Sequence, residues 1–195
     1  MPNSYKYVLT KPDKKIVIDS IKPNEDMESG NRVFPIELEV KTSGGGDYHS
    51  CKYSLSGYET MIDFKRGAGS LVHTQSLDYM TSGDHKIRIN CSDETGDTVS
   101  GETEFMITYD NKDPEISRVW QSGNSLYIVT NEDAECVYTD TSCAYNWDDE
   151  DVMSVTGSDK HTISVIAGRT YYIKCKDKYE NMLSNGDCLV EVQAI

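Results

Sequence analysis

The stretch IRINCSDETGD, residues 87–97, is answered later in the chain by IKCKDKYEN, residues 173–181. Both spell Ile-x-Cys-x-Asp. In HKIRINC, Ile87, Ile89 and Cys91 fall on one side and Lys86, Arg88 and Asn90 on the other. TYYIKC alternates Tyr171, Ile173 and Cys175 with Tyr172 and Lys174 in the same way. A period of two is the mark of a half-buried strand and excludes a helix. The Asp, two residues past the Cys, shares its face at the strand's end, where its carboxylate can accept hydrogen bonds from the turn that follows.

Aligning the two phrases brings further landmarks into register. Cys51 opens CKYSL as Cys136 opens CVYTD; Met61 and Met153 follow, then His73-Thr74 and His161-Thr162, then Gly83 and Gly168 ahead of the second cysteine strand. The order implies a tandem duplication with its boundary near YDNKDPEI, residues 109–116. We expect an extended segment over residues 1–12, a first domain over 13–110 and a second over 111–195. Period-two runs predict strands at 14–21, 32–42, 49–55, 71–78, 84–92 and 102–109, then at 115–120, 125–131, 135–140, 161–166, 170–176 and 188–194. No window carries a helical stripe. The fold class expected is all-β, two antiparallel β-sandwiches in tandem.

Six cysteines stand at 51, 91, 136, 143, 175 and 188, with no zinc-type spacing. An even number spread over strands fits disulfides formed in an oxidising compartment. The repeat pairs Cys51 with Cys91 and Cys136 with Cys175; each bridge closes a loop of roughly 40 residues, worth about 4 kcal/mol in the chain-entropy model. Cys143 and Cys188 have no counterpart in the first unit and pair by elimination, although four cysteines in one unit allow three connectivities.

GDHKIRINCSDETGD followed by GETEFMITYDNKDPEI, residues 83–97 and 101–116, resembles the end of an immunoglobulin-like repeat of prokaryotic cell-surface proteins. Such repeats run from a Gly through an apolar or Cys strand to Asp-x-x-Gly-Asn, then a last strand, then Asp-x-x-x-Pro. Residues 168–194 match less well, since DKYEN lacks the Gly before Asn181. The resemblance implies two immunoglobulin-like β-sandwiches from an adhesin, stalk or filament. It differs from antibody domains in that the first Cys falls on the third strand, which places the bridge within one sheet.

The formal charge is −14, from 33 acidic against 19 basic residues, which repels a nucleic-acid backbone. No apolar run is long enough to insert in a membrane, and MPNSYKYVLT lacks the pattern of a secretion signal. Read literally the start is cytosolic; the cysteines favour a fragment of a longer extracellular chain.

Candidate sites are few. NWDDEDV offers Asp148, Asp149 and Asp151 as oxygen ligands for Ca²⁺, without EF-hand spacing. The linker DNKDPE offers Asp110, Asn111 and Asp113, with turn acids such as Asp93 or Asp177 able to join them. The competing reading of both is solvated acidic chain. Tyr145 and Trp147, in the loop that holds Cys143, form the best single patch for a ligand. His73 and His161 recur at equivalent positions and read as packing residues. No nucleophile motif or phosphate loop is present, so no enzyme is expected.

The function expected is therefore structural or adhesive, at the cell surface. Its partners would be other copies or repeats of a surface protein, or a host or cell-surface glycan or protein. SYKYVLT, residues 4–10, is the segment suited to strand exchange between copies. The alternative is a carbohydrate- or protein-binding accessory module of a larger secreted protein.

Overall fold

The computed structural model describes residues 14–55, 60–155, 157–183 and 187–195. The segment expected over 1–12, with SYKYVLT inside it, lies outside them. The chain divides into two compact units, the first ending at Tyr109 and the second running Asp110–Ile195.

In the first unit the strands are β1 (Val17–Lys22), β2 (Met27–Ser29), β3 (Val33–Ser43), β4 (His49–Ser54), β5 (Ile62–Asp63), β6 (Val72–Thr81), β7 (Gly83–Asp93) and β8 (Thr98–Tyr109). They form one sheet in the order β1-β3-β6 and another in the order β2-β8-β7-β4-β5. Alternation along β3 and β7 turns Leu38, Val40, Ile87 and Ile89 inward, all fully buried. Each such side chain contributes roughly 1.5–3 kcal/mol by leaving water. Gly67 is required where the chain turns back towards β6: its φ is +96°, and a Cβ there would lie 2.1 Å from the Val72 carbonyl oxygen.

The second unit has β9 (Ile116–Ser122), β10 (Ser125–Thr139), β11 (Asp151–Val152), β12 (Ser158–Ser164), β13 (Thr170–Lys176) and β14 (Val190–Gln193), with a 3₁₀ turn at Trp147–Asp149. Residues 125–131 and 135–140 were expected as two strands; they belong to one. The first part of β10 pairs with β9 and β12, its last part with β13 and β11. The register shifts between Val129 and Ala134, so the strand passes from one sheet to the other through polar Asn131-Glu132-Asp133 without a loop. The core beneath holds Leu126, Ile128, Cys136 and Ile173. Sequence periodicity gave no sign of β2, β5 or β11, which are two or three residues long and too short to show a period.

Both units are disulfide-stapled, immunoglobulin-like β-sandwiches. The cysteine strand is central in each: β7 lies between β8 and β4, and β13 between β10 and β14.

Candidate functional site

Cys51 stands directly opposite Cys91 across β4 and β7, and Cys136 opposite Cys175 across β10 and β13. Each pair is bonded, with Cα atoms 4.1 Å apart. The staples thus join neighbouring strands of one sheet. Cys143 is bonded to Cys188, Cα–Cα 5.4 Å.

Past each staple the Asp organises the next turn. Asp93 Oδ1 accepts from the Thr95 hydroxyl at 2.8 Å, the Thr95 N–H at 2.9 Å and the Asp97 N–H at 3.0 Å, while Oδ2 accepts from Gly46 N–H at 3.0 Å. Burial alone would raise its pKa; these donors outweigh it and hold the carboxyl at about 2. Asp177 repeats the arrangement, Oδ1 accepting from the Tyr179 and Asn181 N–H groups at 2.7 and 2.9 Å.

Of the acids with calcium-type chemistry, the structure gathers Asp110, Glu132 and Asp177, one carboxylate oxygen of each lying within 4.8 Å of the others. Asn181 Nδ2 donates to Asp177 Oδ2 at 2.8 Å and to the Asp110 carbonyl at 3.4 Å, bracing the group. Asn111 is exposed and Asp113 half-buried, and neither acts in this cluster. Asp148 and Asp149 lie exposed on the 3₁₀ turn, where Asn146 Nδ2 donates to Asp149 at 3.1 Å. Asp151, on β11, joins Asp140, Glu150, Tyr138 and Tyr171 around a cavity of about 580 Å³. Sequence reasoning missed Glu132, because only the tertiary path of β10 brings it to the start of the unit.

The loop carrying Tyr145 and Trp147 folds onto the outer face of its own sheet. The Lys174 ammonium sits 4.3 Å from the Tyr145 ring centroid and donates to the Tyr145 carbonyl at 3.1 Å. The Tyr145 hydroxyl lies 3.3 Å from the carbonyls of Val137 and Tyr172. Burial, with the Glu150 charge nearby, raises this phenol's pKa well above its ordinary value. Lys176 lies 4.8 Å from the centroid of Trp147. Both rings are thus engaged by cations of their own chain. The alternation around Cys175 carried the signal for this, since Lys174 and Lys176 share the outward face. A second aromatic set escaped the sequence reading: Trp120 stacks on Tyr127 with centroids 5.0 Å apart, and Arg118 covers Trp120 at 4.8 Å.

The histidines serve the fold. His49 Nε2 donates to the Gly44 and Gly46 carbonyls at 3.0 and 2.9 Å, and its Nδ1 lies 2.6 Å from the Thr42 hydroxyl. His161 meets Thr130 at 3.3 Å. Both hydroxyl–imidazole pairs are buried and closed to substrate. Among the described residues neither unit carries a nucleophile set beside a base in an open cleft.

No protein-family model and no curated protein matches the chain. Some solved structures align with the chain at low identity. The fibronectin(III)-like modules of Clostridium thermocellum CbhA align at 12% identity and a TM-score of 0.45, over 92% of this chain and 93% of that one. Chicken CNTN1 FN1-FN3 domains align at 9% identity and 0.39, over 91% of this chain and 66% of that one. The Bacteroides ovatus mixed-linkage glucan utilization locus protein SGBP-B, in complex with mixed-linkage heptasaccharide, aligns at 12% identity and 0.36, over 93% of this chain and 47% of that one.

Proposed function

We propose that this chain is a non-enzymatic extracellular structural or adhesive module, a stalk or filament subunit whose copies join by strand exchange. Three disulfides and no free cysteine among the described residues suit an oxidising compartment. The observation that carries the reading is the placement of the staples. Each locks two central strands of one sheet and withholds the chain between its cysteines, a sequence separation of 40 or 39, from extension, roughly 130 Å of chain per unit. In the first unit, β2 also pairs in parallel with β8, so once β1 has left β3 tension between the unit's two ends loads that pair in shear. Such a body resists pulling, the demand made on a stalk.

The calcium expectation is part of this proposal at Asp110, with Glu132 and Asp177 as its partners. Three carboxylates supply up to six of the 6–8 oxygens that Ca²⁺ takes.

The accessory-module reading is favoured by the disulfide-anchored Tyr145–Trp147 loop and by the Arg118–Trp120–Tyr127 ladder, residue types that dominate binding hot spots. Sedimentation and electron microscopy of the concentrated, oxidised chain separate the two. End-to-end oligomers or polymers are expected. A monomer at every concentration, with glycan binding lost on Trp147→Ala, would overturn the structural reading in favour of the accessory module.

A further inference from the structure

The first unit covers the outer edge of its last strand; among the described residues the second does not. In the first, β2 lies on β8 with Met27 opposite Ile107, Glu28 opposite Thr108 and Ser29 opposite Tyr109. That covering strand comes from the connection between β1 and β3, residues 23–32. In the second unit the matching connection, from β9 to β10, is Gly123-Asn124 alone, which leaves no chain to supply one. β14 therefore ends its sheet.

Ala194 donates its N–H to the Arg169 carbonyl at 2.9 Å. An antiparallel ladder alternates, so Val192 and Val190 address β13 while Glu191 and Gln193 turn their N–H and C=O groups outward. Among the described residues no strand takes these groups. Beyond them the seam is bridged by a side chain: Gln121 donates from Nε2 to the Ile195 carbonyl at 2.7 Å and accepts the Ile195 N–H at 2.9 Å. An uncovered edge is a template for another strand.

We propose that the outer edge of β14 accepts a strand from a second copy of this chain, residues 4–10, Ser-Tyr-Lys-Tyr-Val-Leu-Thr. The inference rests on the strand-exchange reading above and names its acceptor and donor. The segment holds no Gly or Pro, is rich in residues that suit a pleated surface, and alternates Tyr5, Tyr7 and Leu9 with Lys6, Val8 and Thr10. The first unit supplies the template, since its covering strand is three residues long and sends Met27 against the core. Charge favours the pairing. Lys6, Lys11, Lys14 and Lys15 stand against Asp13 alone at this end of a chain whose net charge is −14, and β14 presents an exposed Glu191. Donor and acceptor are different surfaces, so each copy joins the next head to tail, in a ring where the rotation closes and in an open filament where it does not.

The test is sedimentation velocity of the full oxidised chain against concentration, for the wild type, Glu191→Pro and Tyr7→Pro. Proline at 191 deletes an outward N–H and leaves the ladder to β13 intact; Tyr7→Pro alters the donor instead. Association weakened at least tenfold in both variants is expected, with unchanged melting curves and competition by a synthetic peptide of residues 4–10. A photo-crosslinker at position 7 should reach residues 189–195 of another molecule. Association undiminished in both variants, or a crosslink confined to one molecule, overturns this edge and leaves strand exchange elsewhere standing. A chain that stays monomeric at all concentrations overturns both.

Discussion

Phe64 and Met153 hold the same place in the two units. Phe64 donates its backbone N–H to the Cys51 carbonyl at 3.2 Å, and Met153 donates to the Cys136 carbonyl at 2.9 Å. Both side chains are buried in their cores, Phe64 meeting Tyr53 edge-on at 5.3 Å. Met61, which matches Met153 in residue type and in the order of sequence landmarks, is only half-buried. What the two units share is a large apolar plug beside the staple; its identity as methionine is incidental. Phe64→Ala and Met153→Ala should therefore cost about 3–5 and 2–5 kcal/mol, and Met61→Ala under about 1 kcal/mol, in denaturant titrations. Equal losses at Met61 and Phe64 would contradict this.

Removing a staple should weaken its own unit. Each unit has a separate core cluster, so Cys51→Ala with Cys91→Ala should lower the first unit's stability by about 4 kcal/mol and leave the second unit's transition in place. Calorimetry resolves the two; a shared loss of cooperativity would show instead that the units fold as one.

Acid should act in two stages. Burial lowers the pKa values of His73 and His161, and the nearby His49 lowers that of His73 further. The unfolded chain thus binds these protons more readily, and the stability that depends on the neutral rings is full above about pH 6.5 and declines below it. Asp93 is the opposite charge type: its folded pKa is about 2, so its contribution is complete above the unfolded value near ~4 and vanishes as the pH falls towards 2. Neither ring nitrogen of His73 has a hydrogen-bond partner. His73→Leu should therefore keep the stability seen at pH 7 and flatten the melting temperature of the first unit between pH 7 and 5. An unchanged slope would remove His73 from the account.

Calcium should raise the melting temperature of the second unit alone, and Glu132→Gln should abolish the increase. Asp177 is a poorer test, since its carboxylate also holds the turn at Tyr179 and Asn181. Calorimetric titration with Ca²⁺ that releases no heat in the wild type would leave the three carboxylates as a solvated cluster.

Much of the fold was legible because its signals are local. Ile87, Ile89 and Cys91 alternate within seven residues, and Asp93 caps a turn that begins two residues away. The acidic cluster was legible only at Asp110 and Asp177. Glu132 sits in a polar triplet that reads as a turn, and it meets the other two because β10 crosses between sheets there. Likewise nothing in TSCAYNWDDEDV says that Tyr145 will lie over Lys174.

By itself the sequence determined the period-two strands and which cysteines pair across neighbouring strands of each unit, because side-chain alternation and turn hydrogen bonds act between near neighbours. Tertiary structure alone decided which carboxylates converge, which loop folds back on its sheet, and which edge strand lacks a cover. Those outcomes depend on the register of strands distant in the chain, where a shift of one residue turns every side chain to the other face.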